Sequence, residues 1–219
     1  MKSFRVETAL LTILATLAAL PVFAAELIPE VAAVRDRWAE VKYAIPAEQR
    51  SDAFEALAKQ AEAVRTAAPR DVGALIWEGI VLSSWAGDKG GLGALGLVKR
   101  ARKDFEQALE IEPEAFDGSA YTSLGSLYYQ VPGWPVGFGD DDKAREMLAK
   151  GLALNPDGID ANYFQADFLR DQEDYAGAEA AALKALAAPA REGRETADAG
   201  RRVEAEALLK RVREELASR

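Results

Sequence analysis

The 219-residue sequence predicts an all-α protein, a solenoid of about four stacked helix pairs with a C-terminal capping helix. Three observations predict it. One phrase recurs as "FEQALEIEPEA" (105–115), "LAKGLALNPDG" (148–158) and "ALKALAAPARE" (182–192), ending each time in a proline, Pro113, Pro156 or Pro189. A second phrase precedes it: "YTSLGSLYY" (121–129) and "NYFQADFLR" (162–170) align Gly125 with Ala166, and "IWEGIVLSS" (76–84) aligns Gly79 with both. From Arg194 to about Leu216 the chain reads as one charged helix with a narrow apolar stripe, the polar end that a stack of repeats requires.

The elements follow in order. Lys2 and Arg5 precede an almost wholly apolar run, Thr8 to Leu20, which Pro21 breaks before Val22-Phe23-Ala24. That pattern is a secretory signal peptide, residues 1–24, cut after Ala24 or Ala25, and the apolar run is short for a bilayer span. No Cys follows it, which excludes a lipid-modified start. Residues 25–219 form a single repeat domain. Apolar periodicity pairs Pro29–Tyr43 with Ala47–Ala67, Asp71–Trp85 with Leu95–Ile111, Ser119–Gln130 with Asp141–Leu154, and Ile159–Gln172 with Tyr175–Leu186. Each recurring phrase carries a small residue (Ala108, Gly151, Ala185) and another seven positions earlier (Ala101, Ala144, Ala178), which lets paired helices approach closely. Proline then ends the second helix, because it cannot continue the hydrogen-bond ladder. The final helix runs from Arg194 to about Leu216, with Val203, Ala207, Leu208 and Val212 as its stripe.

Composition narrows the chemistry. The formal charge is −9, and removing Lys2, Arg5 and Glu7 leaves 25 basic and 35 acidic residues. Such a chain repels phosphate backbones and anionic membrane surfaces, so neither nucleic acid nor inserted membrane is an expected partner. The chain has no Cys and no His. Thiolate nucleophiles, Ser-His and Cys-His pairs, and the usual zinc, copper and haem ligands are therefore excluded, and no cofactor or metal is expected.

The residues Leu124-Gly125, Tyr128, Ala144, Leu148, Gly151 and Pro156, followed by Ala166, Tyr175, Ala178, Ala185 and Pro189, resemble the tetratricopeptide (TPR) repeat. The resemblance covers roughly residues 25–191, most strongly the last two units. It implies a non-catalytic scaffold that holds a partner protein, or a small ligand, in a concave groove lined by first helices. Carried over position by position, that groove consists of Trp77, Ser83 and Ser84, then Thr122, Ser126, Tyr129 and Gln130, then Tyr163, Asp167 and Arg170. Arg170 is the expected carboxylate grip. Clamps for a C-terminal carboxylate use several Lys and Asn; only Arg170 and Asn162 stand here, so that specialised activity is not expected.

The pattern also departs from the family. A TPR unit has 34 residues, and Pro156 to Pro189 fits, but Pro69 to Pro113 and Pro113 to Pro156 each carry about ten more. The surplus falls at "AGDKGGLGA" (86–94) and "VPGWPVGFGD" (131–140). Both read as enlarged loops on one edge of the stack, meeting in a composite surface. The first contains Gly91, Gly93 and Gly96 at dinucleotide-fingerprint spacing, but no βαβ unit surrounds them. In the second, Trp134 and Phe138 are expected to fold over the neighbouring helices. Asp140, Asp141 and Asp142 are expected to cap the helix that follows, and Lys89 to meet them across the two loops. Their order does not match a calcium loop.

Two other readings stand beside the scaffold. One is similarity to the T-component of TRAP-type solute transporters, an exported helix-repeat family that is longer and commonly lipid-anchored. The other is an enzyme built on carboxylates, Asp140 or Asp142 with Asp167 or Glu78, which needs two groups at fixed separation in a cleft.

Overall fold

The computed structural model describes residues 27–218. The signal peptide expected at residues 1–24 lies outside them. Nine helices are described: α1 (Pro29–Tyr43), α2 (Ala47–Ala67), α3 (Val72–Lys89), α4 (Gly91–Ile111), α5 (Ala115–Gln130), α6 (Asp141–Leu154), α7 (Ile159–Asp171), α8 (Tyr175–Ala187) and α9 (Glu195–Ala217). No strand occurs among the described residues, and none of these helices is long and apolar enough to cross a membrane.

Helices α1 to α8 pack as four pairs, and α1, α3, α5 and α7 also contact one another in sequence. The small residues do what their spacing predicts. A Cβ on Gly125 would lie 2.8 Å from Leu148 Cγ and 3.0 Å from its backbone nitrogen, and one on Gly79 would lie 2.5 Å from the Phe105 ring. Only glycine leaves room for those contacts. Ala101, Ala108, Ala144, Ala178 and Ala185 are fully buried along the same seams, and Phe54, Phe105 and Phe168 fill the core between them. Asp71, Asp140 and Asp174 cap α3, α6 and α8 by accepting from the backbone N–H three residues on, at 2.7, 3.1 and 3.0 Å. Before α5 turns right-handed at Ser119, Phe116, Asp117 and Gly118 take left-handed φ of 48°, 54° and 73°.

The two surplus segments behave differently. The first is not a loop. Helix α3 runs on to Lys89 and α4 begins at Gly91, so the extra residues lengthen both helices around a hinge at Gly90 (φ 62°) and Gly91 (φ 63°). Left-handed backbone is cheap only for glycine, and two glycines here suffice for the turn. Lys89 lies 4.7 Å over the Trp85 ring rather than beside the aspartates. The second segment, 131–140, is a true loop, tied by Gly139 N–H donating to the Pro132 carbonyl (3.0 Å) and Asp140 N–H to the Tyr128 carbonyl (2.8 Å).

Helix α9 does more than cap. It packs on α7 and α8, where the first helix of a fifth pair would stand, and it also reaches α1. Its buried stripe is Arg201, Ala205, Leu208, Leu209 and Val212; Val203 is 66% exposed and Ala207 also faces out. The reason is curvature: the stack brings its first helix within reach of its last, so α9 must match two surfaces at once.

Candidate functional site

On the concave side, most of the expected groove residues are already engaged. Trp77 is buried edge-to-face against Trp38, ring centroids 5.8 Å apart, with the Arg194 guanidinium 5.2 Å over it. Ser84 accepts from Trp38 Nε1 (2.8 Å) and donates to the Ile80 carbonyl, while Ser83 donates to the Gly79 carbonyl. Thr122 is buried against Gly151 of α6, and Ser126 is buried donating to the Ser123 carbonyl. Thr122 and Ser126 thus serve helix packing, whereas Ser83 and Ser84 stay half-buried with their hydroxyls already bonded within α3 and to Trp38.

Tyr129, Gln130, Asp167 and Arg170 do come together. Tyr129 Oη donates to Asp167 Oδ2 (2.9 Å) and accepts from Gln130 Nε2 (3.0 Å); Arg170 pairs with the other Asp167 oxygen at 3.1 Å. Burial, then the Asp167 charge, pushes the Tyr129 phenol well above its ordinary range, so it stays a neutral donor. Arg170 therefore grips a carboxylate of its own helix instead of a free one.

Tyr163 lies under α9, with the Arg201 guanidinium 4.4 Å from its ring. Arg201 anchors an ion network: its side chain is 8% exposed, its Nε donates to Asp160 Oδ1 (2.8 Å) and its Nη1 to Glu204 Oε2 (2.6 Å). Arg191 donates to the other Asp160 oxygen (2.9 Å) and to Asp198. From α1, Tyr43 Oη donates to Glu204 (3.1 Å) and Lys42 approaches it at 3.6 Å. Burial would raise the Asp160 pKa, but Arg201, Arg191 and Arg194 overcome it and hold the carboxyl at about 2. Helix α9 thus latches α7 to α1.

The loop edge is open. Trp134 is 90% exposed and Val136 54%, against the expectation that Trp134 folds inward. Phe138 does fold inward, edge-to-face on Tyr128 at 5.9 Å, and the Arg102 guanidinium lies 5.0 Å over it. One inward aromatic fills the space above α4 and α5, leaving no bed for the second. Between the loop and α4 lies a pocket of about 330 Å³, walled by Lys99, Arg102 and Lys103 on one side and Pro135, Val136 and Phe138 on the other. The edge is therefore loop against helix, not loop against loop.

A carboxylate pair exists where the sequence reading did not place one. Glu78 and Asp104, 2% and 4% exposed, share Arg65 (3.3 and 3.7 Å), and Arg100 donates to Glu78 at 2.8 Å. Burial, then the Glu78 charge, pushes Asp104 up to about 7. A lone glutamate in the apolar stretch "GALIWEGIVL" was the available signal. Both groups are covered, so no substrate reaches them. Asp140 is spent as a cap, Asp142 pairs with Arg145 at 3.7 Å, and Asp167 with Arg170, so the carboxylates expected to act together serve separate partners. Among the described residues no group of three or more acidic side chains is arranged to hold a metal ion.

No family model and no curated protein matches the sequence. Solved structures do match. A thermophilic TPR protein of Thermus thermophilus, TTC0263, aligns over 82% of this chain and 97% of its own, at 15% identity and a TM-score of 0.54. Two structures of MamA align over 78% and 86% of this chain and 94% and 93% of theirs, both at 18% identity, with TM-scores of 0.44 and 0.43. The chain has the fold of a tetratricopeptide-repeat solenoid.

Proposed function

We propose that this helical-repeat scaffold is exported and non-catalytic, and that it holds a partner protein at the edge formed by loop 131–140 and α4. One observation carries the choice of edge over groove: Trp134 stands 90% exposed on a hydrogen-bonded loop beside a pocket, while Trp77 is buried beneath Arg194, Tyr163 lies under Arg201 of α9, and Tyr129 is bonded to Asp167. Exposed tryptophan is the residue type that most often dominates binding energy at interfaces. A loop already ordered by its own hydrogen bonds loses little freedom on binding. Export rests on the basic, apolar and small-residue sequence of residues 1–24.

The test is capture of a partner from a cell-envelope extract by the chain and by two variants, Trp134→Ala and Arg170→Glu, with unfolding curves confirming that each is folded. Loss with Trp134→Ala alone supports the edge. Loss with Arg170→Glu alone moves the site to the groove. Retention by both rules out both surfaces.

A further inference from the structure

The loop edge has a charge character that the whole chain does not share. The chain is acidic at −9, yet α4 carries Lys99-Arg100-Ala101-Arg102-Lys103, four cations in five residues. Two of them are consumed. Arg100 turns to Glu78 and Glu62, at 2.8 and 3.1 Å, and Arg102 pairs with Glu106 at 2.7 Å beneath the Phe138 and Tyr128 rings. Lys99 and Lys103 are exposed and have no salt-bridge partner among the described residues. One helical turn apart, they share a face of α4 and both line the pocket. Glu106, the acid in the pocket wall, is already neutralised by Arg102.

Opposite these two ammonium groups the wall is apolar, formed by Pro135, Val136 and Phe138, and the exposed Trp134 immediately precedes Pro135 in the chain. Resting on the reading that this edge is the binding surface, we propose that it takes an acidic, apolar peptide segment. A carboxylate of the segment meets Lys99 and Lys103, and a neighbouring bulky apolar side chain enters the pocket against Phe138 and Val136, with Trp134 covering it. The complementarity is local, which suits a single chain segment better than a flat anionic surface. An anionic bilayer would also be repelled by the net charge of −9. The chain's overall acidity works against any large acidic partner surface in the same way, so selectivity comes from the pocket and its two lysines.

The experiment uses arrayed decapeptides of varied composition, incubated with the purified chain, with Lys99→Glu/Lys103→Glu and with Trp134→Ala. Phosphatidylglycerol vesicles serve as a parallel probe. The expected result is selection of peptides that combine Asp or Glu with Leu, Phe or Trp. Affinity should fall on the order of tenfold with the charge reversal, two partly exposed ion pairs' worth, and selection should shift toward Lys and Arg. Selection of basic or uncharged peptides, an unchanged profile in the charge-reversed variant, absence of any selected peptide, or binding to vesicles instead of peptides would each overturn the proposal. The edge itself is judged separately: if Trp134→Ala still abolishes capture from extract, the surface is right and only the assigned partner chemistry is wrong.

Discussion

The latched groove and the loop edge are built from the same materials, aromatic rings and arginines, and differ in what those arginines already hold. Under α9, Arg201 and Arg191 spend every strong contact on Asp160, Asp198 and Glu204. At the edge, Arg102 is spent but Lys99 and Lys103 are not, and Trp134 has no cover. Residue type alone therefore does not mark a binding surface. What marks it is charge and apolar area left unmatched after the fold has satisfied itself.

The comparison can be broken most forcefully at Arg201. Arg201→Ala removes the centre of a covered ion network and strips Asp160 and Glu204 of their closest cation, so stability falls by about 3–5 kcal/mol in urea unfolding. The equivalent edge change, Lys99→Ala, stays within about 0.5 kcal/mol of the parent. Next in size is the helix seam that supports both regions. A methyl at Gly125 meets Leu148 side chain and backbone at 2.8–3.0 Å, and Gly125→Ala costs about 1–3 kcal/mol by the same measurement.

Acid and base limbs sharpen the contrast between two buried clusters. The folded pKa of Asp160, about 2, lies below its ordinary 3.8, so the unfolded chain binds the extra proton. Its stabilisation is present above about pH 4 and lost as pH falls toward 2, an effect on the order of 2 kcal/mol. Asp104 is the reverse: its folded pKa of about 7 lies above 3.8, the folded chain holds the extra proton, and stability declines as pH climbs from about 4 through 7. Asp160→Asn should flatten the acid limb of a stability–pH profile and Asp104→Asn the neutral limb. The smallest stability effect belongs to Trp134→Ala, within about 0.5 kcal/mol because the ring touches little, and under the proposed function the same change is expected to abolish partner capture.

Much of the fold was legible because its signals are local. The bounds of α1, α2 and α6 coincide with those read from apolar period and proline, and Gly125 opposes Leu148 as its spacing implies. The glycines of 86–94 misled, because packing along the stack holds α3 and α4 helical through residues whose own preference is to break. Burial of Thr122 and Ser126 was hidden by a half-turn ambiguity between the groove face and the seam facing α6. The latch was not legible at all. It depends on curvature accumulated over four pairs, which brings Tyr43 to Glu204 across 161 residues of sequence.

That latch is the direct point of attack, and a chain without cysteine makes it accessible. Gly200 packs on the Tyr43 ring, so Tyr43→Cys with Gly200→Cys places two thiols between α1 and α9. Partner binding is then measured in the oxidised and the reduced protein. Cross-linking in the folded state with equal binding in both forms is the expected result, since the edge needs no opening of the groove. Binding that disappears on oxidation and returns on reduction would contradict it, by showing that the partner enters beneath α9.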